Sequence, residues 1–139
     1  MKKSDESDKL KLNSIIKSIS NIKKAFTQNQ ISNVNNLKND ELTQAACTQL
    51  ITNIQEAKKK LQDETYNKLI ELNKIKLAGV RNIASHDYDS LDFSVIYYIC
   101  RDLIKANVLS EVYAVLADIE KAEEESEKQA VEGAAPDGE

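Results

Sequence analysis

The sequence of 139 residues has no tryptophan, one proline and three glycines, and only 5% of its residues are aromatic. It therefore lacks the turn residues and aromatic strands of a many-stranded sheet. No apolar run approaches the roughly 18 residues that a membrane span needs. The polar N-terminus also lacks the apolar stretch of a signal peptide. We therefore expect a cytoplasmic protein with no membrane partner.

Residues that bind metals or form disulfides are also scarce, with one histidine and two cysteines. Cys47 and Cys100 each lie in an apolar stretch with helical spacing, which is typical of free thiols packed in a core. A disulfide is not expected in a reducing compartment. One histidine without a cysteine pair at ligand spacing cannot build a zinc centre. The sequence therefore predicts no metal site and no cofactor.

The net charge of −4 is unevenly distributed along the chain. The segment Glu120–Glu139 has eight acids and two lysines, a net of −6, so the rest of the chain carries +2. The acidity belongs to the C-terminal segment, and the body of the protein is mildly basic. This charge does not demonstrate RNA binding, but it removes the objection that the protein is too acidic for an RNA partner.

Apolar residues recur at helical spacing in four stretches of the chain. The positions predicted to face inward are Leu12, Ile15, Ile16, Ile19, Ile22 and Phe26 in the first helix; Leu42, Ala46, Leu50, Ile54, Ala57 and Leu61 in the second; Tyr66, Leu69, Ile70, Leu77, Val80 and Ala84 in the third; and Phe93, Ile96, Cys100, Leu103, Ile104, Val112, Leu116 and Ile119 in the fourth. The third stretch runs from about residue 65 to 84.

The sequence also indicates where these helices begin and end. Residues 27–39 are rich in Asn, Gln and Ser and predict a loop, after which Asn39 or Asp40 can cap the second helix. The run Lys58-Lys59-Lys60 suits a solvated C-terminal end of that helix. Asp92 is a good N-cap for the fourth helix, in which Asn107 marks a kink or break.

These patterns predict an all-α protein, an antiparallel four-helix bundle in which the third and fourth helices could each be broken in two. Residues 1–8 form a polar lead-in, 9–122 the helical bundle, and 123–139 an acidic disordered tail.

The residues that carry chemistry lie at the end of the third stretch, in Arg81-Asn82-Ile83-Ala84-Ser85-His86-Asp87-Tyr88. Histidine can take and give a proton near neutral pH, and arginine offers a planar fork of donors that fits a phosphate. His86 and Arg81 therefore suit metal-free cleavage of a phosphodiester, with His86 as general base or acid and Arg81 stabilising negative charge. Asn82 would orient a phosphate or the imidazole.

The spacing of Arg81 and His86 poses a geometric problem. Five residues along an α-helix rotate by about 500°, which leaves the two side chains about 140° apart. Either the helix ends or unwinds near Ala84–Ser85, or a second copy of the motif completes the site across a two-fold axis. Gly79 is either tolerated within the helix or allows a close approach to a neighbouring helix or subunit.

The motif resembles the HEPN superfamily, and more closely its HepT branch. The likeness rests on Arg81, Asn82, His86 and Tyr88, on the acidic residue Asp92 that opens the next helix, and on an earlier helix ending in the pair Glu56-Ala57. It covers roughly residues 10–120.

This resemblance implies a HEPN-like bundle that acts as a homodimer and cleaves RNA without a metal ion. It also implies the toxin of a type II/VII-like toxin–antitoxin system. The partner would be an MNT-type nucleotidyltransferase antitoxin that attaches AMP to Tyr88 and so silences the toxin.

Two other functions remain open at the level of sequence. The bundle could be a non-catalytic interaction or nucleotide-binding subunit of a two-component nucleotidyltransferase, in which Arg81 and His86 bind phosphate without cleaving it. It could also be a structural helical protein in which this spacing is accidental. As an alternative to a functional role, Tyr88 could be a packing residue at a helix end. Tyr97 and Tyr98 lie on adjacent faces of the fourth helix, so we expect at most one in the core and both to be packing or dimer contacts rather than catalytic groups.

Overall fold

The computed structural model describes residues 3–77 and 93–134, with side chains described for 5–77 and 93–129. Within these ranges it contains seven helices and no strand. The helices are α1 (Lys3–Gln28), α2 (Val34–Lys38), α3 (Glu41–Lys59), α4 (Asp63–Lys68), α5 (Ile70–Asn73), α6 (Phe93–Leu103) and α7 (Ala106–Ala134). The prediction of an all-α bundle is confirmed.

Helix α1 packs chiefly against α3 and α7. The start of α1 lies beside the end of α3, because Asp8 bonds to Gln62 directly after α3. The start of α1 also lies beside the C-terminal part of α7, where Lys9 and Glu123 form an ion pair of 2.8 Å. Both neighbours of α1 therefore run antiparallel to it.

The predicted inward stripe of α1 is confirmed along its whole length, since all six residues from Leu12 to Phe26 are buried. The helix ends in a Schellman arrangement, in which the Ile31 amide donates to the Phe26 carbonyl at 2.9 Å. Gln30 takes the left-handed conformation, φ 54°, that glycine usually supplies at this position. The buried Ile31 side chain packs in the same core as Phe26 and anchors this turn.

Helix α2 lies inside residues 27–39, where the sequence predicts only a loop. Asn33 caps α2 by accepting a hydrogen bond from the Asn36 amide at 2.9 Å, and Leu37 is completely buried. One buried apolar residue and one cap are enough to form this short helix, which packs against α6. The sequence did not predict α2 because five residues are too few to show a helical period of apolar positions. Asp40 caps α3 as predicted, and hydrogen bonds from Thr43 lower the pKa of Asp40.

The predicted inward stripe of α3 is only partly correct. Ile54, Ala57 and Leu61 are buried, whereas Leu42 is 85% exposed and Ala46 is also exposed. The N-terminal half of α3 buries a neighbouring stripe instead, which consists of Thr43, Gln44, Cys47, Thr48 and Ile51. The helix is therefore rotated relative to the prediction, and Leu42 and Ala46 face outward.

The third and fourth helices are both broken, as the sequence allowed. Leu69 separates α4 from α5 and is completely buried, as is Leu72 within α5. Tyr66 and Ile70, which were predicted to face inward, are 37% and 61% exposed. The break between α6 and α7 lies at residues 104–105, just before the predicted position Asn107.

Helices α1 and α7 extend into the two terminal segments, 1–8 and 123–139, that the sequence patterns separate from the bundle. Asp8, in the predicted lead-in, is buried and accepts hydrogen bonds from the Gln62 amide, the Gln62 side chain and the Thr65 hydroxyl. Residues 123–134, expected to be disordered, continue α7. Glutamate and lysine favour helix without needing an apolar stripe. The domain boundaries themselves stay a prediction.

Candidate active site

The predicted site residues Arg81, Asn82, His86 and Tyr88, together with the predicted cap Asp92, lie outside the described residues. Gly79, Val80 and Ala84 lie outside them as well. The geometry that the structure provides is that of the two helices on either side, α5 before the motif and α6 after it.

Helix α5 is held by a carboxylate from α7. Glu111 accepts hydrogen bonds from the Glu71 amide at 2.9 and 3.0 Å and from the Leu72 amide at 3.1 Å. Leu69, the residue before α5, offers no side-chain cap. Glu111 therefore replaces the missing local cap from a position 40 residues further along the chain. Beyond α5, Leu77 is 2% exposed and anchors the chain in the core directly before the motif.

Replacing Glu111 by alanine should lower the free energy of unfolding by about 1.5–3 kcal/mol, because backbone amides of α5 lose a charged acceptor. Urea unfolding followed by circular dichroism measures this change. Glu125→Ala is the matched control: the same substitution at an exposed position of α7, with an expected effect within about 0.5 kcal/mol. Equal losses in the two variants would show that the Glu111 contact contributes nothing.

Helix α6 is fixed by its inner face. Ile96, Cys100 and Leu103 are buried as predicted. The Tyr97 hydroxyl donates to the Ser32 carbonyl at 2.9 Å, and the Tyr97 ring stacks on Phe26 with centroids 5.8 Å apart. These contacts tie α6 to the end of α1, so the helix that leaves the predicted motif is held at a defined position.

The outer face of α6 carries a feature that the sequence analysis missed. The Arg101 guanidinium carbon lies 4.7 Å from the centroid of the Tyr98 ring, and the Tyr98 residue is 45% exposed. Only one member of the Tyr97–Tyr98 pair enters the core, as predicted. The one signal for Arg101 in the sequence is its rarity, since the chain has 17 lysines and two arginines.

The run Lys58-Lys59-Lys60 is solvated only in part. Lys59 and Lys60 are exposed, but Lys58 is buried and its Nζ lies 5.4 Å from the centroid of the Tyr66 ring. Burial lowers the pKa of Lys58, and the cation–π contact offsets part of the cost of desolvation. The prediction of a solvated helix end is therefore wrong for Lys58, and only its two neighbours present charge to a partner.

The two cysteines are free and buried, as predicted, and they meet between α3 and α6. The hydrogen bond with Cys47, together with burial, raises the pKa of Cys100. Both thiols are completely buried and therefore behave as core residues. Among the described residues, no group of three or more His, Cys, Asp or Glu is placed to hold a metal ion.

A protein-family model described as "Ribonuclease HepT-like" matches residues 15–118. The match covers well over half of the chain. This chain belongs to the HepT-like ribonuclease family, within the HEPN superfamily. Neither the curated proteins nor the solved structures gave a significant match.

The HepT-like match extends from within α1 to within α7. It therefore includes α5, α6 and the sequence that carries the predicted motif. Both the cap Glu111 and the pair Tyr98–Arg101 lie inside the matched range. The acidic residues from Glu120 onward lie outside it. In the helices that the structure describes, no segment is long and apolar enough to cross a membrane.

Proposed function

We propose that the protein is the toxin of a toxin–antitoxin pair, a homodimeric endoribonuclease that cleaves RNA without a metal ion. The observation that carries the proposal is the match to a ribonuclease family over a range that includes Arg81, Asn82 and His86. The single histidine of the chain, His86, supplies a proton-transfer group, and Arg81, five residues before it, supplies a phosphate-binding cation.

In the proposed reaction the 2′-hydroxyl of a ribose attacks the adjacent phosphorus. His86 takes the proton of that hydroxyl or delivers a proton to the departing 5′-oxygen, and Arg81 stabilises the charge that grows on the phosphoryl oxygens. The bond between phosphorus and the 5′-oxygen breaks. The products are a 2′,3′-cyclic phosphate and a 5′-hydroxyl.

The proposed chemistry predicts that cleavage persists in excess EDTA. The protein, purified free of any partner, should convert end-labelled RNA into fragments with 2′,3′-cyclic phosphate or 3′-phosphate ends. An RNA with a single 2′-deoxy sugar at the cleavage position should resist, because it lacks the nucleophile. Cleavage that needs magnesium and leaves 3′-hydroxyl ends would contradict the mechanism. Phosphate binding without cleavage would favour the nucleotide-binding alternative.

The proposed partner is a nucleotidyltransferase of the MNT type, which transfers AMP to Tyr88. The Tyr88 hydroxyl attacks the α-phosphorus of ATP, loses its proton and displaces pyrophosphate. The modification adds a phosphate charge and a nucleoside two residues from His86. The new phosphate would occupy the Arg81 guanidinium in place of RNA, and the nucleoside would block the site.

A further inference from the structure

The outer face of α6 has the chemistry of a single-stranded nucleic-acid contact. The exposed residues that carry this chemistry are Tyr98 and Arg101 on α6 and Lys105, which lies between α6 and α7. We call these three residues the α6 ridge. Tyr98 and Arg101 are three residues apart, a spacing that brings side chains together on a helix.

The central observation is that the Arg101 guanidinium lies over the Tyr98 ring, with its carbon 4.7 Å from the ring centroid. The guanidinium is planar, so it can stack a flat group when the side chain is exposed. The Arg101 side chain is 52% exposed. A lysine would give the ridge the same charge but no plane, and lysine is what this chain uses at 17 of its 19 basic positions.

The Tyr98 ring is held in place before any ligand arrives. It makes a T-shaped contact with the Tyr97 ring, with centroids 5.3 Å apart. Tyr97 is itself fixed by the Phe26 ring and the Ser32 carbonyl. A ligand that stacks on Tyr98 therefore loses little affinity to ordering that ring.

The charge of the ridge favours an anionic ligand over a protein partner. Arg101 and Lys105 lie 3.8 and 3.1 Å from the carboxylate of Asp102, and these three side chains together carry a net charge of +1. These exposed pairs are weak, so a phosphate can compete with Asp102 for either cation. The exposed large apolar side chains of α6 are those of Tyr98 and Val95, whereas a stable protein interface needs about 800 Å² on each side.

We propose that Tyr98 and Arg101 form a platform on which an unpaired base of the RNA substrate stacks, while Lys105 contacts a neighbouring phosphate. The inference rests on the proposed ribonuclease function and adds a substrate-binding surface to it. It also assigns a substrate class, single-stranded RNA, because a base within a duplex is not free to stack on a side chain.

The test is binding of fluorescently labelled single-stranded RNA to the full-length chain carrying His86→Ala, which prevents cleavage during titration. Adding Tyr98→Ala should weaken binding about 5- to 150-fold, the range for one base–aromatic stack. Adding Tyr98→Phe should change affinity less than about 2-fold because the ring remains. Arg101→Lys should weaken binding even though the charge is kept.

The matched control is Tyr113→Ala, which removes another exposed tyrosine, 51% accessible and on α7. It should leave RNA affinity unchanged. Circular dichroism on each variant checks that the fold is intact. Arg101→Lys, which should weaken binding although the charge is kept, keeps the test valid if Tyr98→Ala unfolds. A duplex RNA of the same sequence should bind with no difference between the Tyr98 variants.

The outcomes separate this inference from the proposed function. If wild-type protein cleaves RNA but Tyr98→Ala binds it normally, the platform is wrong and the function stands. If wild-type protein neither binds nor cleaves any RNA, the proposed function fails. If Tyr98→Ala converts a dimer into a monomer in light scattering, the ridge is a subunit contact and the platform is overturned.

Discussion

Replacing His86 by alanine should reduce RNA cleavage by about 10²-fold or more, the scale of general acid–base catalysis. Arg81→Ala should cause a loss of similar size, because the charge on the phosphoryl oxygens would lose its main partner. Initial rates on one labelled RNA in excess EDTA give the comparison. Lys17→Ala, at an exposed position of α1, is the control and should keep full activity. Unchanged cleavage by His86→Ala would end the proposal.

The same two variants test whether the site is shared between subunits. If Arg81 of one subunit works with His86 of the other, mixing Arg81→Ala and His86→Ala chains should restore part of the activity. Neither variant alone should recover. Light scattering that shows a monomer of 15.6 kDa at working concentration would contradict the homodimer.

Replacing Tyr88 by phenylalanine should leave most of the RNase activity and abolish its neutralisation. Co-expression with a nucleotidyltransferase encoded beside the gene should raise the mass of the wild-type chain by one or more AMP units. The Tyr88→Phe chain should gain no mass, because the hydroxyl that accepts AMP is gone. Cell growth during co-expression gives the biological result: wild type is tolerated and Tyr88→Phe is toxic.

The other tyrosines define the control for this experiment. Tyr97 is buried with its hydroxyl bonded to Ser32, whereas Tyr66, Tyr98 and Tyr113 are exposed enough to be modified. Tyr113→Phe should still be modified and neutralised like the wild type. Mapping AMP to any of these four residues, or full silencing of Tyr88→Phe, would show that the proposed mechanism is wrong.

The two long helices α1 and α3 show how far an apolar pattern predicts burial. In α1 the outward face is largely lysine, asparagine and serine, so only one orientation buries the isoleucines. In the N-terminal half of α3 two stripes compete, and the structure buries the more polar one. Gln44 donates to the carbonyls of Leu37 and Lys38, both at 2.7 Å, and Thr48 donates to the Gln44 carbonyl at 2.8 Å. These hydrogen bonds satisfy the buried polar groups and so lower the free-energy cost of burying them. Their partners are set by the folded structure, so the hydropathy pattern of the sequence does not predict them.

The break between α4 and α5 has a similar origin. It contains neither proline nor glycine, so nothing local requires the helix to stop at Leu69. The amides exposed by the break are satisfied by Glu111, which is distant in sequence. The apolar period predicted a helix from about residue 65 to 84. The structure is helical only as far as Asn73, and residues 74–77 are not helical. The position of the break at Leu69 depends on tertiary structure.

The candidate site likewise has one part that the sequence predicts and one part that only the structure reveals. The motif Arg81–Tyr88 could be found from sequence because rare residues stand together there, and the family match covers it. The Tyr98–Arg101 pair could not, because a spacing of three is common in any helix. The pair becomes a candidate site because both side chains are exposed and the guanidinium lies over the ring, and only the folded chain shows these two facts.

The hydrogen bonds from Glu111 of α7 to the start of α5 have a consequence for synthesis of the chain in the cell. Contacts between distant positions form late, since chain entropy must be lost before they are made. Helices α1 and α3 can pack while the ribosome is still translating, but α5 gains its cap only after Glu111 has emerged. We therefore expect α5, the helix that leads into the predicted motif, to become ordered only after α7 has docked.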